Sequence, residues 1–312
     1  MRRKFFHFLS LSVFLGIFPS LGWALTASDA SVTRTLKIWD REIEYQFLLK
    51  NDANLRHDGE AFTKKLKGQK IAYVVLNPAF FEKEAEGLFE RLRQEKNLSV
   101  NFKSLNSQEL TRLEEKLLGL EGGSVSYASL TSSSKESLRK LQNLFEEIAW
   151  RGLFKASLAN GRSLQEAKEI FSRDFTARRL KTIEHHEVAH LYDILNFKDT
   201  KSPQFEKFTE VNAFYAELVY GENPQDTMAQ AVSGLIDEMS RGKVVDYSVE
   251  KVLSVVEFLR DCPPFAKYLK PRHLTPCCLE MLAKIKRKDF IRIGTELFEK
   301  NRGRLPSKIA SL

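Results

Sequence analysis

Cysteine is rare in this sequence. Only three occur among 312 residues, at Cys262, Cys277 and Cys278, and no spacing among them is typical of a cysteine zinc site. In an oxidising compartment, one disulfide from Cys262 to either of the other two is compatible with the sequence, which leaves the pairing open. A bridge between the two adjacent cysteines would be strained and is the least favoured pairing.

Long apolar segments are absent beyond the N-terminus, so no later stretch is expected to span a bilayer. The single apolar run, residues 8–21, follows basic residues at positions 2–4 and precedes Gly22 and Ala24, small residues at the two positions that a signal peptidase inspects. We therefore predict a signal peptide over residues 1–24, with cleavage after Ala24, and a secreted or periplasmic protein. An uncleaved N-terminal anchor is the alternative.

A strong excess of one charge is also lacking. The formal net charge is +8, and three of the basic residues belong to the predicted signal peptide. The densest basic patches, residues 178–181 and 284–288, are mixed with apolar residues in helical register, which indicates solvated helix faces rather than nucleic-acid stripes. We expect no nucleic-acid partner. No internal repeat or low-complexity tract is evident.

The most informative stretch that is present runs over residues 182–195 and contains His186, Glu187 and His190. Residues four apart lie on one face of a helix, so both imidazoles can reach one ion, while Glu187 addresses a water bound to that ion. Zinc takes neutral imidazole nitrogens and carboxylate oxygens, and a catalytic site keeps one position open for water. The pattern predicts a Zn²⁺ site with Glu187 as general base.

A catalytic zinc ion needs a third protein ligand, and Glu210 is the best candidate. It lies in a downstream helical stretch in which Ala213 is small enough to let two helices approach within ligand distance. Glu217, two helical turns further along, is the alternative third ligand.

Several neighbouring residues have both a functional and a structural interpretation. Asp193, one turn after His190, is predicted to accept a proton from a ligand imidazole, or else to be a polar residue at a helix end. Tyr215 and Tyr220 are candidates to stabilise an oxyanion, although a tyrosine of an amphipathic core is the alternative for each. His185 points about 100° away from the motif histidines, so we expect it at the surface or behind the ligands.

In these residues the chain resembles zincin metallopeptidases of the gluzincin kind, in which two histidines of H-E-x-x-H and a glutamate on a following helix bind zinc. The resemblance implies that His186, His190 and Glu210 are metal ligands and that Glu187 activates water. It covers only about forty residues, so it indicates a site and a mechanism rather than a substrate.

The expected function is therefore a zinc-dependent metallopeptidase that hydrolyses peptide bonds in a peptide or protein substrate. The alternative is a non-catalytic secreted protein that binds metal or a partner on the same scaffold. The presence of Glu187 favours the enzyme, because a structural metal site has no use for an acid aimed at an open coordination position. The sequence indicates neither a cleavage specificity nor an oligomeric state.

The pattern of apolar residues predicts an α+β fold. Residues 25–130 mix strands with helices, whereas residues 131–312 are mostly helical and contain the zincin-like metal-binding part. The two regions are expected to be two modest domains or one large one, and a single body would give the active-site helix the neighbouring sheet that a zincin needs.

Individual elements follow from periodicity, turns and capping residues. A hairpin is predicted over residues 35–49, a buried strand over residues 70–76, and further strands near 98–102 and 125–127. One helix is predicted to open at Asn77 and Pro78, with an apolar stripe of Phe81, Ala85, Leu88, Phe89 and Leu92, and another to open at Asn223 and Pro224, with Met228, Val232, Leu235 and Met239 inward. The other predicted helices are one over 110–119, two opened by Ser133 and Ser163, the motif helix ending near Asn196, the Glu210 helix ending at Gly221, and two or three over 249–259, 276–285 and 290–300.

Overall fold

A computed structural model describes residues 31–51, 58–66, 69–94, 112–113, 115–117, 132–197, 203–241, 246–261 and 285–303. These residues form a predominantly helical α+β fold with one small sheet, as the sequence predicted. The predicted signal peptide, the three cysteines, the strands near 98–102 and 125–127 and residues 276–284 lie outside this set.

The described elements are four strands and seven helices. The strands are β1 (Val32–Ile38), β2 (Arg41–Leu49), β3 (Gly59–Leu66) and β4 (Gln69–Leu76). The helices are α1 (Pro78–Gln94), α2 (Ser132–Leu158), α3 (Leu164–Asn196), α4 (Pro203–Tyr220), α5 (Pro224–Ser240), α6 (Asp246–Asp261) and α7 (Arg287–Arg302). None of these helices is both long enough and apolar enough to cross a membrane.

The sheet has the strand order β1-β2-β4-β3. The predicted hairpin is confirmed, with β1 and β2 antiparallel and Ile38 opposite Arg41. Strand β4, also predicted, runs parallel to β2 and antiparallel to β3. Strand β3 was not predicted, because its sequence is mostly polar. Its residues are half-buried or exposed in the structure. It packs against α3 at the edge of the described sheet.

Helix α3 is the central element of the fold. It begins at a capping box in which Ser163 and Glu166 satisfy each other's backbone N–H groups, and it ends at Asn196, as predicted at both ends. The prediction of two separate helices is wrong here, because no glycine or proline interrupts the 33 residues of α3 and one continuous helix forms. The continuous helix is therefore roughly 50 Å long, and it packs against α1, α2, α4 and the sheet.

One hydrophobic cluster joins the sheet to the helices, from Ile38 to Phe298. Helix α1 buries the stripe that its periodicity predicted, which consists of Phe81, Ala85, Leu88, Phe89 and Leu92. Helix α5 likewise buries its four predicted inward residues, Met228, Val232, Leu235 and Met239. Burial of this apolar surface is the main favourable contribution to folding.

The turn of the β1–β2 hairpin is anchored on two distant helices. Trp39 has a positive φ of 54°, and its ring stacks on Phe298 of α7 at 3.8 Å between centroids. Its backbone N–H donates to the hydroxyl of Tyr220 at the end of α4, at 2.8 Å. These contacts hold the hairpin against α4 and α7.

A buried ion pair joins α3 to α5. Arg179 donates to Asp226 at 2.9 Å, and the side chains of the pair are 4% and 2% exposed. The indole of Trp150 donates to the other carboxylate oxygen of Asp226 at 2.6 Å. The prediction that residues 178–181 form a solvated face is therefore wrong for Arg179, although Arg178 and Lys181 are exposed.

We predict that Asp226→Ala lowers the free energy of unfolding by about 3–5 kcal/mol, because Arg179 would keep its charge inside the protein without its closest partner. The matched control is Glu222→Ala, which removes the exposed ion pair with Lys181 and should change stability by about 0–1 kcal/mol. Urea denaturation of both variants measures the difference, and equal losses would contradict the prediction.

Candidate metal centre

Three predicted ligands meet where α3 and α4 cross. Donor atoms of His186, His190 and Glu210 all lie within 4.8 Å of one another. The two Nε2 atoms are 3.1 Å apart, and His190 Nε2 is 3.7 Å from Glu210 Oε1. The side chains of His190 and Glu210 are each 1% exposed and that of His186 is 12% exposed, so the site is largely buried while His186 remains partly accessible.

The close approach of α3 and α4 depends on small residues. Ala213 is fully buried between the helices, as predicted. Gly221 ends α4, and its N–H donates to the carbonyl of Glu217. A Cβ at Gly221 would lie 2.5 Å from that carbonyl oxygen and 3.0 Å from Thr182 of α3. A larger residue there would push α4 away from the ligand helix.

Glu217 contacts the imidazole of His186 at Nδ1, on the side of the ring away from the candidate metal position. Its Oε1 atom lies 2.6 Å from His186 Nδ1, and its Oε2 atom accepts from the hydroxyl of Thr227 at 3.2 Å. Burial would raise the pKa of Glu217, but the hydrogen bond and charge of His186, with the charges of Arg179 and Lys251, together outweigh burial and lower it. The residue that the sequence left as an alternative third ligand therefore contacts the ring nitrogen opposite Nε2, and it orients the imidazole.

His190 is oriented by the hydroxyl of Thr209, which no sequence pattern had indicated. Its Nδ1 atom lies 2.9 Å from Thr209 Oγ1, and Thr209 is hydrogen-bonded in turn to Asp193. Asn212 also donates to Asp193, at 3.2 Å. Burial raises the pKa of Asp193 to about 8, against the lowering effect of both hydrogen bonds. Asp193 thus acts on His190 through Thr209, the residue directly before the ligand Glu210.

The donor set fits a metal ion such as zinc. The Nδ1 atoms of His186 and His190 are each hydrogen-bonded to an oxygen, so their Nε2 atoms carry the lone pairs when the rings are neutral. The two Nε2 atoms are 3.1 Å apart, and their lone pairs repel each other unless a cation lies between them. Nitrogen ligands about 2.0–2.1 Å from a tetrahedral zinc ion are roughly 3.3 Å apart. Two imidazoles, one carboxylate and a further open position are the donor set of catalytic zinc.

Without a metal, a proton fills the same role. Burial lowers the pKa of His186, but the hydrogen bond and charge of Glu217 outweigh burial and raise it to about 9. Burial and the charge of His186 lower the pKa of His190 to about 3. A proton on Nε2 of His186 would therefore be donated to Nε2 of His190, which lies 3.1 Å away.

Glu187 lines a cleft of about 270 Å³ together with His186 and Glu210. Burial raises its pKa to about 8, while the charge of His186 opposes the rise. A carboxyl group in such an environment can exchange a proton near neutral pH. The cleft is bordered by α3, α4, α5, α6 and Asp58, which directly precedes β3.

The remaining candidates lie outside the described lining of this cleft. The hydroxyl of Tyr215 is hydrogen-bonded to Ser254 at 2.9 Å, and that of Tyr220 accepts from Trp39. His185 is 9% exposed, and its Nδ1 atom contacts the carbonyl of Lys181 at 2.7 Å. Both tyrosines therefore connect elements of the fold, and His185 is buried with its ring stacked on that of Tyr220. Lys251 and Tyr247 of α6 do line the cleft, and no sequence pattern had indicated them.

Comparisons with protein-family models, with curated proteins and with solved structures found no match for this chain. The inference of function therefore depends on the chemistry and geometry of the residues described above.

We predict that Glu217→Ala weakens zinc binding by about 10–100-fold, because His186 would lose the partner that fixes its orientation. Glu210→Ala should lose most of the metal, since a three-ligand site needs all its donors. Competition with a chromophoric chelator measures both affinities, with Glu222→Ala as the exposed control. Retention of zinc by Glu210→Ala, together with its loss in Glu217→Ala, would instead make Glu217 the ligand.

Proposed function

We propose that this protein is a zinc-dependent metallopeptidase that acts outside the cytoplasm. The observation that carries the proposal is the position of Glu187, a buried acid that lines the same cleft as His186 and Glu210, two members of the candidate ligand set. A purely structural zinc site is closed by four protein ligands and needs no acid beside an open position. The secreted or periplasmic location rests on the N-terminal sequence.

His186, His190 and Glu210 would hold the ion, and Glu217 and Thr209 would keep both imidazoles in the tautomer that presents Nε2. Bound zinc would supply a polarising charge for the substrate carbonyl and lower the pKa of a water molecule. Glu187 would accept a proton from that water and pass it to the leaving amine. The buried surroundings of Glu187 support this exchange, because they bring its pKa towards neutrality.

The position of β3 supports a peptide substrate. This strand lies at the edge of the described sheet, and its first residue, Gly59, packs against the carboxylate of Glu187. Extended peptides commonly bind by adding a strand to a sheet edge. A peptide aligned along the Gly59 end of β3 would lie beside the carboxylate of Glu187.

We predict that Glu187→Gln keeps the zinc and the fold but lowers the rate of peptide cleavage by about 10²–10⁴-fold, because the amide is isosteric and cannot accept the proton. A library of peptides, digested by native and variant protein, measures the effect. Glu169→Gln is the matched control, since Glu169 is an exposed acid on the same helix.

Two results would contradict the enzymatic proposal. One is the absence of zinc-dependent cleavage of any library peptide by the native protein. The other is equal cleavage by native protein and Glu187→Gln, which would reveal a contaminating peptidase. A chelator should abolish the native activity, and added zinc should restore it.

A second variant tests how Glu187 is positioned. A Cβ at Gly59 would lie 3.1 Å from Glu187 Oε1 and 2.8 Å from a methyl group of Leu76. We predict that Gly59→Ala displaces the carboxylate and lowers kcat by about 10–100-fold with unchanged zinc content. Gly152→Ala is the control, because a Cβ there meets nothing within 4 Å. Unchanged kcat in Gly59→Ala would contradict this role of the glycine.

A further inference from the structure

The two carboxylate oxygens of Glu210 have different surroundings. Oε1 faces the imidazoles, 3.7 Å from His190 Nε2. Oε2 points the other way and lies 3.0 Å from the Nζ atom of Lys251 on α6. The side chain of Lys251 is 15% exposed, so most of this ion pair is removed from water.

A carboxylate can bind a metal through one oxygen or through both. With two histidines and one oxygen of Glu210, a zinc ion has three protein ligands and keeps one position for water. If both oxygens bound, that position would be crowded by the protein itself. The binding mode of Glu210 therefore decides how accessible the ion is to water and substrate.

We propose that Lys251 is a positioning residue that reserves Oε2 of Glu210, so that Glu210 offers the metal only one oxygen. The inference rests on the metal site of the proposed function and specifies how that site is kept open. A charge-assisted hydrogen bond is roughly twice as strong as a neutral one. A rotation of Glu210 that brought Oε2 to the metal would break this bond in an environment where water replaces it poorly.

Lys251 is itself held in place. Its Nζ atom lies 5.1 Å from the ring centroid of Tyr247, one turn earlier on α6, in the range of a cation–π contact. A second ion pair between the same two helices joins Lys207 of α4 to Glu250 of α6 at 3.0 Å. Lys207 does not belong to the described lining of the cleft. The chain thus contains a matched pair, one α4–α6 bridge at the metal ligand and one away from it.

Removing a residue in this role changes zinc affinity in the opposite direction from removing a residue that only orients a ligand. If Lys251 merely oriented Glu210, its removal would weaken zinc binding by about 10–100-fold. If it reserves Oε2, its removal frees a second donor and also deletes a positive charge close to the metal, and both changes favour binding of the cation. Zinc affinity would then stay the same or rise while catalysis falls.

The experiment uses Co²⁺ as a spectroscopic probe in the full mature chain. Four-coordinate Co²⁺ absorbs visible light much more strongly than five- or six-coordinate Co²⁺. We expect Lys251→Met to lose at least half of the visible absorption of the native Co²⁺ protein, to bind zinc at least as tightly, and to cleave peptides at least ten-fold more slowly. Lys251→Arg should restore the absorption, and Lys207→Met should match native protein in all three measurements.

An unchanged Co²⁺ spectrum in Lys251→Met, or a ten-fold loss of zinc affinity, would overturn this inference while leaving the proposed function intact. Failure of native protein to bind metal would overturn both. If native protein binds metal without cleaving peptides, the spectra and affinities still decide the role of Lys251. Lys251→Ala serves as a second neutral variant, to be used if Lys251→Met does not show the native thermal transition.

Discussion

The structure depends on the contact between α3 and α4, because this interface places two imidazoles with their Nε2 atoms 3.1 Å apart in a largely buried site. Such an arrangement is stable only when each ring is held from behind and a cation lies between the facing nitrogens. Helix α4 supplies both groups that orient the imidazoles, Thr209 and Glu217, and also Glu210, the candidate third ligand. One helix–helix interface therefore determines ring orientation and ligand set together.

Charge balance around this interface explains the buried polar residues near it. Glu187, Glu210 and Glu217 bring three acidic groups into one enclosed region, and desolvation there disfavours ionised carboxylates. Lys251 contacts Glu210 directly, and the charge of Arg179 lowers the pKa of Glu217. The buried pair of Arg179 with Asp226 thus contributes to the electrostatics of the site as well as to the packing of α3 on α5.

Short-range patterns made much of this architecture predictable. The spacing of His186 and His190, the capping box at Ser163 and the stripe of α1 all act within one helix, where fixed geometry links sequence to structure. Strand β3 lacked such a signal, since its polar sequence is stabilised by pairing with β4. Lys251 lacked one too, because it is 41 residues from Glu210 in the chain. Contacts of that kind arise from tertiary packing, which no local periodicity encodes.

The proposed chemistry requires one metal ion bound between α3 and α4. Elemental analysis of the purified mature chain after zinc loading and removal of excess metal, compared with His186→Ala, measures this most directly. We expect about one equivalent of zinc in native protein and a loss of most of it in the variant, because a three-ligand site needs all its donors. Less than about a tenth of an equivalent in native protein, or equal zinc in both, would contradict it.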